Sequence, residues 1–99
     1  MIERKRIYIA GRVSGIDYDE ALSAFADAAK AVEQRGDYPV NPTLYCDKEW
    51  DWQTCMRTVI PLLVTCDGVY MMKGWRQSKG AKLEHFIALK LGLTIELEK

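Results

Sequence analysis

Short apolar runs that end at glycine or proline alternate with longer segments of helical periodicity. This predicts an α/β domain: a parallel sheet of about four strands with helices on both faces. Three observations carry the prediction. Ile7-Tyr8-Ile9-Ala10 is apolar throughout and stops at Gly11, as a strand buried on both faces does. Ala21, Leu22, Phe25, Ala28, Ala29 and Val32 recur at helical spacing. Gly68-Val69-Tyr70-Met71-Met72 then repeats the strand pattern ahead of another periodic stretch.

The first strand runs into a loop, Gly11-Arg12-Val13-Ser14-Gly15, after which Asp17 offers an N-cap to a helix that ends at Gly36. Asp37-Tyr38-Pro39-Val40 is a weak second strand, closed by Asn41-Pro42. Trp50-Asp51-Trp52 opens a second helix, in which Pro61 removes a backbone donor and predicts a kink or a break near Ile60. Cys66-Asp67 ends it and the third strand follows. The third helix spans Lys79 to Leu91 with Gly92 as its C-terminal stop, and Leu93-Thr94-Ile95-Glu96-Leu97 is the last strand. Strands joined through helices imply right-handed crossovers, so the expected architecture is a small Rossmann-like or flavodoxin-like layer structure. Ligands in such sheets bind at the carboxyl ends of the strands, near the point where strand order reverses. That rule selects the loops Gly11 to Ile16 and Lys73 to Lys79.

At 99 residues the chain is read as a single domain, 1–99, large enough to bury a core. Lysine plus arginine balance aspartate plus glutamate at 14 each, so no net field favours a nucleic acid polymer or an acidic membrane. The basic start Met1 to Arg6 precedes too short an apolar stretch for a signal peptide, and no run approaches the roughly 20 apolar residues of a membrane helix. Cys46, Cys55 and Cys66 are an odd set without C-x-x-C spacing, and a lone His85 does not complete a usual zinc site. The expectation is free thiols in a reducing, cytoplasmic setting, with no metal.

Glu84 begins a stripe continued by Ile87, Ala88 and Leu91 at i+3, i+4 and i+7, so its carboxylate is predicted to point inward with them. A carboxylate there must be hydrogen-bonded, paired or lining a pocket. Two accounts fit: a site acid, or a boundary glutamate that bends to solvent or pairs with Lys82 or Arg76. The loop of Gly11, Arg12, Ser14 and Gly15 combines close backbone approach, a hydroxyl and a guanidinium, which suits a phosphate, and it equally describes a tight turn. It is neither G-x-G-x-x-G nor a P-loop. Ser78 with the N–H groups of Lys79, Gly80 and Ala81 forms either an anion site or a simple helix cap. Trp50 and Trp75 could stack a base at a pocket mouth or fill core and interface, and Trp52 is read as filler. His85 points away from Glu84 and receives no catalytic role.

Taken together, Ile7-Tyr8-Ile9-Ala10-Gly11, Asn41-Pro42, Cys66-Asp67-Gly68-Val69-Tyr70 and Gly74-Trp75-x-x-Ser78-Lys79-Gly80-Ala81-x-x-Glu84 resemble a domain family of unassigned function in the nucleoside 2-deoxyribosyltransferase-like superfamily. The match covers nearly the whole chain. The resemblance implies a Rossmann-like fold, cleavage of an N-glycosidic bond with Glu84 as nucleophile, and Tyr8 as its orienting partner. It implies no cofactor. Ser78 stands where the superfamily's nucleoside 5′-monophosphate hydrolases carry a phosphate-binding serine and its deoxyribosyltransferases an aspartate. With the Gly11–Gly15 loop, this favours a phosphorylated substrate over a free nucleoside. Val59 stands where both enzyme branches carry an aspartate that assists the leaving base, a departure that counts against catalysis. Asp47, Glu49 or Asp51 could replace it, and Asp67 is read as structural. The chain also ends at Lys99 without the segment by which some members complete a neighbour's pocket.

The leading expectation is therefore N-glycosidic cleavage or transfer on a nucleoside 5′-monophosphate, with Arg12, Ser14, Ser78 and Gly80 around the phosphate. A non-catalytic nucleotide-binding or sensing module and a scaffold subunit are the alternatives. A homodimer or higher homo-oligomer is expected. Trp52, Met56, Val59, Ile60 and Leu63 form its candidate interface, and the same stripe could equally be the face packed on the sheet.

Overall fold

The computed structural model describes residues 4–99; Met1, Ile2 and Glu3, the first half of the basic start, lie outside the described residues. Its elements are β1 (Arg6–Ala10), α1 (Tyr18–Gln34), β2 (Tyr38–Val40), a 3-10 turn (Pro42–Leu44), α2 (Trp52–Leu63), β3 (Gly68–Met71), a second 3-10 turn (Trp75–Gln77), α3 (Lys79–Lys90) and β4 (Thr94–Leu97). The strands are parallel and ordered β2-β1-β3-β4. The chain steps outward from β1 to β2, crosses back to β3 and moves outward again to β4. Strand order therefore reverses between β1 and β3, and the two loops singled out by the sequence leave the sheet there.

The period of two along β1 divides the core. Ile7 and Ile9 pack with Phe25, Ala28 and Val32 of α1 on one face. Tyr8 and Ala10 pack on the other face with Met56, Val59 and Leu63 of α2 and with Ala81 and Ala88 of α3. Burying each of the larger aliphatic or aromatic side chains stabilises the fold by about 1.5–3 kcal/mol, so a one-residue slip of β1 is strongly disfavoured. Such a slip would also turn Tyr8 toward α1, away from α3.

Helix starts are capped, at Asp17 and Ser78 as the sequence offers and also at Asp51. Asp17 accepts from the Glu20 N–H at 3.0 Å, Asp51 from the Thr54 N–H at 2.8 Å and Ser78 from the Ala81 N–H at 3.1 Å. Each cap satisfies a helix-end donor and contributes about 1 kcal/mol. Gly36 closes α1 at a φ of 97°, a left-handed conformation that disfavours other residues.

Gly11 is required for a different reason. A Cβ built there would lie 2.6 Å from Met72 Sδ and 3.1 Å from Met72 Cβ. Gly11→Ala is expected to destabilise the protein by about 1–3 kcal/mol through overpacking. A lowered urea midpoint at unchanged m-value would show it, and an unchanged midpoint would mean that Met72 gives way freely.

Several expectations are corrected. Pro61 does not break α2, which continues to Leu63. Its missing donor falls in the last turn, and the Val64 N–H still reaches the Ile60 carbonyl. Cys46 and Cys55 are not free thiols: they form a disulfide with a Cα–Cα distance of 5.4 Å. The connection after β2 folds back on the start of α2 and closes a gap that the sequence separation of nine conceals. Cys66 remains a free, buried thiol. Leu91 leaves the buried stripe of α3, being the C-cap and 56 % exposed. Met56, Val59 and Leu63 are buried against the sheet, so the α2 stripe is core and not an interface. Larger exposed apolar side chains lie on α3, at Phe86 and Leu89. Among the described residues no helix is long and apolar enough to cross a membrane.

Candidate functional site

At the carboxyl edge of the sheet the Gly11–Ile16 loop, the connection after β2, the start of α2 and the start of α3 enclose a cleft of about 740 Å³. That volume suits a small-molecule ligand. Its walls are aromatic and apolar in large part, with Tyr18, Trp50, Trp52, Met56 and the Cys46–Cys55 disulfide. Polar groups come from Ser14, Ser78, Lys79 and the Asp47 and Asp51 carboxylates.

Glu84 lies in the second turn of α3, lines the cleft and is only 5 % exposed. Its Oε2 accepts a hydrogen bond from the hydroxyl of Tyr8. Tyr8 is fully buried in the middle of β1, one residue pair from the end of the strand, and its ring spans from sheet to helix. The inward account of Glu84 is the correct one, since it neither bends to solvent nor pairs with Lys82 or Arg76. Among the described residues no other protein group bonds its carboxylate, and no fully buried polar side-chain atom is left without a partner. The second oxygen is therefore the one that meets the cleft.

Burial pushes the Glu84 carboxyl up to about 8, and the Tyr8 hydrogen bond offsets only part of that rise. The Tyr8 hydroxyl is raised well above its ordinary value by burial first and by the adjacent Glu84 second, so it stays a donor. A buried acid whose ionisation is shifted this far, lining a cleft, marks a candidate site.

The predicted ligand loops divide. Gly11, Ser14, Gly15, Ser78 and Gly80 line the cleft together with Glu84. Arg12 does not: its Nε donates to the Ser14 carbonyl at 3.0 Å and its Nη1 to Gln77 Oε1 at 3.4 Å. It braces the first loop against the turn before α3. Gly15 is needed because its φ of 84° is a left-handed conformation that other residues rarely adopt. Ser78 both caps α3 and faces the cleft. Gly80 lets α3 nest on α2, since a Cβ would lie 3.2 Å from Met56 Sδ.

Lys79 and Lys48 are cleft cations that the sequence reading passed over. Lys79 Nζ lies 3.9 Å from the Trp52 ring centroid and Lys48 Nζ 5.2 Å from that of Tyr18. A signal existed for Lys79, because a cation in the first turn of a helix opposes the macrodipole unless something anionic compensates it. Trp52, read as filler, forms part of the cleft wall. Trp75 is core, stacked on His85 at 4.4 Å, and neither ring lines the cleft.

Val59 is buried at the cleft and offers no proton. Of the acids considered as its replacement, Asp47 and Asp51 line the cleft and Glu49 does not. The Thr54 hydroxyl and N–H hold the Asp51 carboxyl below its usual range, so it is a standing anion and a poor acid. Asp67 lies at the opposite edge of the sheet, where its Oδ2 accepts from the Arg6 N–H at 2.8 Å. It pins β1 to β3 and has a structural role. Among the described residues no three His, Cys, Asp or Glu side chains converge as metal ligands.

No curated protein matches the chain. A family model described as a domain of unknown function (DUF4406) matches residues 5–97 and so includes every residue of the cleft. The chain belongs to this DUF4406 family.

Proposed function

We propose that the cleft takes a nucleoside 5′-monophosphate, or a related phosphorylated N-riboside, and that Glu84 cleaves its N-glycosidic bond. The observation that carries the reading is the buried Glu84–Tyr8 pair facing a cleft at the strand carboxyl ends. The resemblance of the Tyr8, Ser78 and Glu84 motifs to the nucleoside 2-deoxyribosyltransferase-like superfamily supplies the reaction class. In this reading the free oxygen of Glu84 bonds to the anomeric carbon as the carbon–nitrogen bond breaks, and the bonding pair departs with the base. Water then displaces the carboxylate and yields the sugar phosphate, or a second base displaces it and yields a new nucleoside 5′-monophosphate. Tyr8 holds one oxygen, leaving the other aligned for attack. The phosphate is met by the N–H groups at the start of α3, the Ser78 and Ser14 hydroxyls and the Lys79 ammonium. Gly11 and Gly15 allow the loop backbone to approach, Arg12 braces that loop, and the aromatic wall stacks the base. The reading includes self-association as a homodimer and requires no metal or organic cofactor.

The panel that tests it is base release from ribo- and deoxyribonucleoside 5′-monophosphates and from the matching nucleosides. Release from monophosphates in preference to nucleosides is expected, and equal rates on both would remove the phosphate from the proposal. Tyr8→Phe should lower kcat about 10- to 100-fold and move the alkaline rise in activity to higher pH. The shift follows because the Tyr8 hydrogen bond is what lowers the Glu84 carboxyl. A reduced rate with an unmoved profile would assign Tyr8 to packing alone.

A second reading, a nucleotide-sensing module, is favoured by one specific pairing: Val59 at the cleft and a Glu84 that is largely protonated at neutral pH. It predicts saturable binding of the same monophosphates with no base released from any of them.

A further inference from the structure

The connection between β2 and α2 supplies a wall of the cleft through Pro42, Thr43, Cys46, Asp47, Lys48 and Trp50. Its own bonding is local. The Thr43 N–H donates to Asn41 Oδ1 at 3.1 Å and the Glu49 N–H to Asp47 Oδ1 at 2.8 Å. The Tyr45 N–H donates to the Pro42 carbonyl at 3.0 Å and the Trp50 N–H to the Asp47 carbonyl at 3.1 Å. Among the described residues, no backbone hydrogen bond from 42–50 reaches the sheet, α1 or the body of α2. Buried Pro42 anchors the start and the Asp51 cap anchors the end. Between them the covalent tie to the rest of the fold is the Cys46–Cys55 bond.

We propose that Cys46–Cys55 is a redox clamp on the cleft: oxidised, it holds the wall of residues 43–50 against α2, and reduced, it releases that wall while the sheet stays folded. The proposal rests on the cleft being the working site described above. Both cysteines are half-buried and line the open cleft, where a small dithiol can reach them. Cys66 cannot compete for either sulfur, since it is buried at the amino end of β3, across the sheet from the cleft. Opening the clamp is a two-electron step. One thiolate of the reductant attacks a sulfur of the pair and expels the other as a thiolate; the reductant's second thiol then resolves the mixed disulfide. Cys46 and Cys55 end as two thiols carrying the two protons that the dithiol gives up, and the reductant ends as a cyclic disulfide. With its hydrogen bonds local and its outward contacts few, among them the Lys48 ammonium over the Tyr18 ring, the segment loses its register on the core once the covalent tie is cut, because little else offsets its conformational entropy. In a cytoplasmic setting the cleft would thus be loosened by ambient thiols and formed under oxidation.

Hydrogen exchange read by mass spectrometry on the full chain, oxidised and after dithiothreitol, tests the clamp. Amides of 43–50 are expected to exchange at least about 10-fold faster after reduction, with β1 and α3 unchanged. The double substitution Cys46→Ser with Cys55→Ser should match the reduced protein and ignore the reductant. Equal exchange of 43–50 in both states would overturn the clamp, as would faster exchange throughout the sheet or three titratable thiols in the unreduced protein. Base release measured on the same samples separates the two claims. A redox-dependent wall in a protein that releases no base would sink the glycosidase reading and leave the clamp standing.

Discussion

Glu84→Gln is expected to abolish base release, by roughly 10⁴-fold or more, while raising the melting temperature. The two effects have one physical origin. Glu84 sits among apolar neighbours with a single protein hydrogen bond, so its ionised form, the one that can attack, is the one the fold resists. Glutamine keeps the shape and accepts from the Tyr8 hydroxyl, and it cannot ionise. Its amide takes the place of the oxygen that meets the cleft, where water can satisfy it. A variant that loses activity and stability together would show Glu84 to be a structural strut, and one that keeps full activity would end its assignment as nucleophile.

The pH dependence of both properties is the second large effect. With the folded carboxyl at about 8 and an ordinary value of 4.5, the neutral form contributes stability that is complete below pH 4.5. That contribution is lost as the pH rises and is gone above about 8. Linkage puts the loss between pH 6 and pH 9 on the order of 3 kcal/mol for this group. Thermal unfolding of the wild type should weaken over that window, and Glu84→Gln should remove most of the slope. The burial-raised Cys66 and Tyr70 groups stay neutral through most of it and are common to both proteins. Activity should move in the opposite sense. About a tenth of the molecules carry the Glu84 carboxylate at pH 7, so kcat/KM should rise nearly tenfold per unit below pH 8 and level off above it. A flat profile across this range would mean that the carboxylate is already ionised in the free protein.

The features most legible in the sequence were those set by local chemistry. The apolar run of β1, the caps at Asp17 and Ser78, and the stop at Gly92 each act over a few residues, and each lies where the local pattern put it. Inward-pointing Glu84 was readable for the same reason, because helical spacing fixes direction near the middle of α3. It failed at Leu91, where the helix ends and spacing no longer binds the side chain to the core. Contacts made through space were not readable from spacing. The Cys46–Cys55 closure depends on how an irregular connection folds back, and the direction of Arg12 depends on a partner 65 residues away. Pro61 misled in another way: its cost depends on its place in the helix, and in the final turn the lost donor matters little.

Peptide mapping of a rapidly acid-quenched reaction between the wild type and a nucleoside 5′-monophosphate that it cleaves tests the role of Glu84 most directly. A sugar phosphate is expected on the peptide that contains Glu84, with free base in equal amount, and neither should form with Glu84→Gln. Base release by Glu84→Gln at the wild-type rate, or a sugar phosphate carried by any other residue, would contradict it.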